Sequence, residues 1–179
     1  MKAITGSDRR PTDSVALLLR LAIGPMLFAH GYNKVFGKGG LNGTTGWFDA
    51  LGLKPAFVHA RMAAATELGA GTLITLGAAN PVPAAACIGL MTTAARTDHR
   101  GKGFFVFKGG WEYTGVVAAV SAAMAALGPG RFSLDAARGR SRSGLRWGLL
   151  AAAVGVGSST ALLAASYRPG AEPEEEGVS

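Results

Sequence analysis

Apolar residues along this chain gather into five runs, at about residues 14–36, 56–78, 82–95, 112–127 and 145–167. A helix that crosses a bilayer needs about 17 to 25 mostly apolar residues. The first, second and fifth runs meet that length. The third and fourth are short and must recruit flanking residues or thin the bilayer. Pro81 and Pro83 open the third run, as prolines suit a helix start. Gly128, Pro129 and Gly130 stop the fourth. The fifth, LRWGLLAAAVGVGSSTALLAASY, is weakened by its GVGSS centre, yet Gly155 and Ser159 form a small-residue pair of the kind that packs membrane helices. Its length and hydropathy predict a span; the alternative is an amphipathic or loosely held tail. The predicted fold is all-α: a polytopic membrane helix bundle of four core transmembrane helices plus a fifth at the C-terminal end.

The polar stretches divide the chain further. Residues 1–13 read as a basic flank, 14–135 as the four-helix membrane domain, 136–168 as an Arg-rich loop with the fifth helix, and 169–179 as a disordered acidic tail. Residues 37–55 and 97–111 read as Gly-rich connections whose aromatics, Trp47, Phe48, Phe104, Phe105, Phe107 and Trp111, suit the membrane interface. The first run carries Arg20 and lacks a clean small-x-small cleavage site, so its helix is expected to stay in the protein.

Composition sharpens the class. Hydrophobic residues make up 49% of the chain and charged residues 16%, too oily for an ordinary soluble domain. The net charge of +7 sits between the apolar runs, as in loops on a membrane. No zinc-finger, RNP-like or helix-turn-helix pattern points to nucleic acid. Cys87, the one cysteine, lies inside an apolar run and reads as a small buried residue. A lone cysteine excludes an intrachain disulfide or a CxxC redox pair.

Counting helices gives geometry. If the first four alternate in direction, then His30, Asn33, Lys34, His59, Arg61, Arg96, Asp98, His99, Glu112 and Tyr113 all fall near one membrane face. Basic residues on the two sides balance, so the positive-inside rule does not orient the chain. The dense arginines of residues 131–146 favour the N-terminus inside.

Two charges lie deep. Glu67 stands near the middle of the second run, on the order of 16 Å from its start. A carboxylate at that depth is expensive and should face protein or water. Ala60, Ala63, Ala64, Glu67 and Gly71 share helical spacing, which predicts a packing face. Glu67 reads either as a polar tie between helices or as a proton- or substrate-handling group. Arg20, Gly24, Leu27, Gly31 and Lys34 share one face of the first helix. Arg20 is expected either to reach Glu67 or to snorkel to its own interface.

Lys34 reads as a snorkelling helix end. His30 and Asn33 beside it, with His59, Arg61, Glu67, Arg96, His99 and Glu112, form a candidate polar cluster. Three histidines on three helices raise a metal or haem site, but no local ligand signature such as HExxH supports one, and no metal ligands are assigned. The alternative for His99 is a solvated helix end. For Glu112 it is a carboxylate at a positive dipole end.

The segments LLLRLAIGPMLFAHGYNKVFG, TELGAGTLITLG, HRGKGFF, GGWEY and GPGRFSLD occur in this order between residues 14 and 135. In them the chain resembles the DoxX family of small membrane proteins. The resemblance implies a four-helix bundle in a bacterial inner membrane, tied to redox metabolism. The family takes its name from a quinol-oxidising complex, and some members are associated with thiosulfate:quinone oxidoreduction or oxidative-stress complexes. The fifth apolar run departs from the four-helix plan. The expected role is an auxiliary subunit of a quinone-linked or oxidative-stress membrane redox complex. Quinone is the ligand to consider, no other cofactor is evident, and the partners are the bilayer, an oxidoreductase and a second copy of the chain. Alternatives are a non-enzymatic scaffold or assembly factor and a small-solute or proton carrier. Whether the protein is itself catalytic stays open.

Overall fold

The computed structural model describes residues 6–169. Among them the chain is helical: α1 (Gly6–Phe36), α2 (Gly40–Ala50), α3 (Ala56–Leu76), α4 (Val82–Arg96), α5 (Glu112–Leu127), α6 (Leu134–Ala137) and α7 (Leu145–Ser166), with one 3₁₀ turn at Val106–Lys108. The only β pairing among the described residues is an isolated bridge, Leu53 to Tyr167. Lys2 and the acidic stretch at 170–179 lie outside the described residues.

Two expectations are corrected. The N-terminal flank is not separate from the first helix, because α1 starts at Gly6 and runs through Pro11. The connection at 37–55 is not a plain loop, because α2 fills most of it. Leu41, Thr44 and Phe48 recur there at helical spacing, and Thr44 and Phe48 are buried beneath the helix. The Thr44 hydroxyl donates to Lys34 O (3.0 Å), fastening α2 to the end of α1, and shares its proton with Gly40 O within α2 (3.1 Å). The fifth run forms one helix, α7, packed on α4 and α5.

The most extensive pairing is α1 with α3. Glycines permit it. A Cβ on Gly31 would stand 2.8 Å from Leu68 N and 2.9 Å from Glu67 Cβ; one on Gly71 would stand 2.6 Å from Phe28 N. The backbones therefore touch directly, the close approach that small residues allow. The expected face on α3 is the one buried: Ala60, Ala63, Ala64, Glu67 and Gly71.

One end of the bundle is sealed by polar side chains on backbone. Arg20, 5% exposed, donates from Nε to Ile74 O (3.1 Å), from Nη1 to Pro129 O (2.6 Å) and from Nη2 to Thr75 O (3.0 Å). It neither reaches Glu67 nor snorkels, as the sequence had suggested. It ties the last turn of α3 to the chain at Pro129, adding a donor to carbonyls at the helix end. Asp135 accepts from the Ala79 and Asn80 amides at 2.9 Å each. Asn80 Nδ2 in turn donates to Ala125 O (3.1 Å) and Arg142 O (2.9 Å).

The outer surface is apolar. Leu18, Leu21, Phe28, Val116, Leu149 and Val154 are exposed, whereas Arg20 and Glu67 are buried. Charge inside and hydrocarbon outside is the arrangement of a protein solvated by lipid. Among the described residues, Pro11–Phe36 and Leu145–Ser166 are long and apolar enough to cross a membrane. At 21 residues α3 is long enough, but His59, Arg61 and Glu67 lower its hydropathy. At 15 and 16 residues, α4 and α5 are shorter apolar helices.

Gly71→Val should force α1 and α3 apart and cost about 1–3 kcal/mol or more, read as a lowered thermal midpoint in detergent. Gly69→Ala, where an added Cβ meets nothing within 4 Å, should leave the midpoint unchanged or raise it. Equal behaviour of the two variants would refute the seam. Arg20→Met should lower stability by about 1–3 kcal/mol through stranded carbonyls. Arg20→Lys should fail to restore it, because one ammonium cannot span the same fork. A wild-type midpoint for Arg20→Lys would contradict that assignment.

Candidate functional site

At the other end of the α1–α3 seam stands a buried ion pair. Lys34 Nζ lies 2.8 Å from Glu67 Oε1, with the two side chains 14% and 7% exposed. Gly31, pressed against the Glu67 Cβ, brings the next turn of α1 alongside the carboxylate. Lys34 thus turns inward rather than snorkelling, correcting its expected position. Its ammonium also sits 5.8 Å from the centre of the Trp47 ring on α2, a cation–π contact. Glu67 Oε2 is buried with no hydrogen-bond partner among the described residues. An unsatisfied carboxylate oxygen in a dry interior is costly and invites a hydrogen-bond donor.

The pair stands in the wall of a cavity of about 340 Å³, enclosed by residues of α1, α2, α3, α4 and α7. Most of the wall is apolar, including Phe48, Leu53, Met62, Leu90 and Leu162. Its polar groups are few: Lys34, Glu67, His59, Asp98 and several hydroxyls. His59 is 8% exposed, and its Nε2 lies 3.2 Å from Lys54 O, which fixes the ring at the cavity's edge. Thr93 and Ser159 share a hydrogen bond of 2.8 Å across α4 and α7. Apolar walls with a few placed polar groups suit an oily ligand with a small polar head.

Of the nine candidate cluster residues, Lys34, His59 and Glu67 line this cavity. The other six do not. His30 is exposed on α1, with its ring 6.4 Å from that of Tyr113. Asn33 is exposed and accepts through its backbone from Gly37 N at 2.8 Å. Arg61 donates to Phe57 O within its own helix (3.1 Å). Arg96 donates to Thr160 Oγ1 (2.9 Å), tying α4 to α7. His99 Nδ1 lies 2.6 Å from Gly109 O, and Glu112 Oε2 accepts from Val106 N at 3.0 Å. These last two brace the 97–111 connection. The three histidines therefore stay apart. Among the described residues no group of three His, Cys, Asp or Glu forms a metal site. Cys87 is fully buried in the core with Leu27, Met91 and Val117.

Sequence reasoning missed Trp47 and Phe48, because it read their segment as a loop. It placed Asp98 on the shared membrane face but left it out of the cluster. It also missed Ser159 as a cavity residue, although that serine was already marked as half of a packing pair.

No curated relative and no solved structure matches the chain. The family model of DoxX matches residues 15–100, which hold α1 from its third turn and all of α2 to α4, and with them Lys34, His59 and Glu67. That match, just under half of the chain, makes residues 15–100 a segment of DoxX type.

Proposed function

We propose that this protein is an auxiliary subunit of a quinone-linked redox complex in the bacterial plasma membrane. In this reading α1, α3, α4, α5 and α7 cross the bilayer in alternating directions, with the N-terminus inside. Residues 14–135 supply the four-helix family bundle and 136–168 add the fifth span. The Leu53–Tyr167 bridge supports that count, since it joins the start of α3 to the end of α7, which the four crossings between them return to the same side. At about 22–24 Å, α4 and α5 are shorter than a hydrocarbon core of about 30 Å, so their flanks or a thinned bilayer make up the difference.

The carrying observation is the buried Lys34–Glu67 pair in the wall of a mostly apolar cavity. A quinone has the matching chemistry, a ring whose oxygens accept hydrogen bonds when oxidised and donate them when reduced. Lys34 spends one hydrogen bond on Glu67 and keeps two N–H donors for a carbonyl oxygen. Glu67 offers Oε2 as the acceptor for a hydroxyl proton. His59, at the cavity edge, is placed to pass a proton toward the surface. Electrons enter or leave through the partner oxidoreductase, since a single cysteine gives this chain no dithiol couple.

A scaffold or assembly role is the second reading. The exposed aromatic connection favours it, where Phe104 packs edge-on to Trp111 and Phe105 stacks on Phe107.

The two readings separate on the ion pair. Glu67→Gln keeps the shape and an amide oxygen for Lys34 to donate to, and should lower quinone recovered per mole of purified protein by roughly tenfold, the worth of a hydrogen bond to a charged group. Quinone-linked respiration in membranes should fall with it. Unchanged quinone content and rate would sink the redox reading. Lys34→Met alone should reduce abundance by stranding a buried carboxylate, a loss of about 3–5 kcal/mol. Lys34→Met with Glu67→Gln should recover abundance without recovering quinone. Recovery of both would make the pair a structural tie and leave the scaffold.

A further inference from the structure

A second cavity, of about 320 Å³, lies in the groove between α4 and α7. Ala86 and Ser158 line both it and the cavity beside Glu67. The helical register sets the two end to end along the same pair of helices. On α7, Leu150, Val154, Ser158 and Leu162 recur every four residues and form one stripe; the first three line the second cavity, the last two the first. On α4, Val82, Ala86 and Leu90 do the same. The path from the ion pair's cavity to the second one therefore passes Ala86 and Ser158. It follows α7 for eight residues, about 12 Å, toward Leu150. Beyond the junction its lining is apolar, and Val82, Leu150 and Val154 are exposed, so it opens sideways on the outer surface.

We infer that the α4–α7 groove seats the tail of a single lipid-soluble quinone whose ring lies against Lys34 and Glu67. The inference rests on the quinone reading above and adds to it a ligand with one long prenyl or alkyl chain and a side door through which it enters from the bilayer. Two features select this occupant over a phospholipid. The polar groups stand at one end of the groove only, so the ligand has one polar head and one apolar tail. That head lies beside a carboxylate on the order of 16 Å along α3, a depth that suits an uncharged ring and not a zwitterionic headgroup kept at the interface. In lipid, the groove gains little from apolar burial as such, because the bilayer is equally apolar. What it gives the tail is direction, and the direction aims the ring at the ion pair.

Position is therefore the readout. A benzoquinone carrying a decyl chain with a terminal diazirine is photolysed with the full-length protein in membrane vesicles, and the adducts are mapped by peptide mass spectrometry. The expected result is label on residues 82–86 and 150–154. An excess of the same ring without a tail should suppress it. Val154→Trp, on the exposed side of the second cavity, should lose it while the protein still retains tailless quinone. Leu150→Trp, in the same wall, should do the same and covers a Val154 variant that does not fold. Label spread over the outer faces of α1 and α5, with tailless quinone still bound in a Glu67-dependent way, would overturn the tail groove and leave the quinone reading standing. Label in the groove that tailless quinone does not suppress would mean ordinary bilayer chains fill it, and would also overturn the inference. Absence of Glu67-dependent binding by either probe would remove the quinone reading itself.

Discussion

The backbone contact between α1 and α3 governs where charge can exist in this protein. Arg20 and Lys34 lie on one face of α1, at opposite ends of a stripe that includes Gly24 and Gly31. Because the glycines bring α3 against that face, each cation meets α3 rather than lipid. Arg20 meets the end of the helix, where the last-turn carbonyls of Ile74 and Thr75 accept from it. Lys34 meets its middle, where the chain carries a carboxylate. The same seam thus satisfies a guanidinium with backbone and an ammonium with a side chain. Were the helices held further apart, both cations and Glu67 would stand in a medium that cannot solvate them.

The two ends of the seam differ in how completely they are satisfied. At the Arg20 end, the guanidinium, Asn80 and Asp135 each find backbone partners. Around Glu67 one oxygen and two ammonium protons are left over, and a cavity stands beside them. A closed polar network holds a fold together; an open one beside a cavity offers itself to a ligand. That contrast, more than the mere presence of buried charge, separates the structural charge from the candidate functional one.

Much of this was legible in the chain. The apolar runs set the long helices, the alanine stripe marked the buried face of α3, and the helical spacing of Arg20 with Lys34 put both on one surface. What failed were statements about distance. Ten residues can share a membrane face and still be spread across the whole cross-section of a bundle, so His30, His59 and His99 part company. Glycines 40, 43 and 46 disguised α2, whose burial of Thr44 and Phe48 outweighs poor helix propensity. Lys34 looked like a snorkelling residue because a long cation at a helix end usually is one. Only the overlying α2 and the glycine seam make the inward direction the better one.

The cavity is not built from the family segment alone. Ser158, Ser159 and Leu162, on one side of it, come from α7, some sixty residues past the end of the match at residue 100. In a bundle that stopped after α5, that side would be membrane, and the ion pair would look out onto hydrocarbon. By returning its last helix to Leu53 and laying it along α4, this chain carries its own neighbour. A contact that two separate polypeptides would have to find by diffusion is here covalently guaranteed, at a fixed one-to-one ratio.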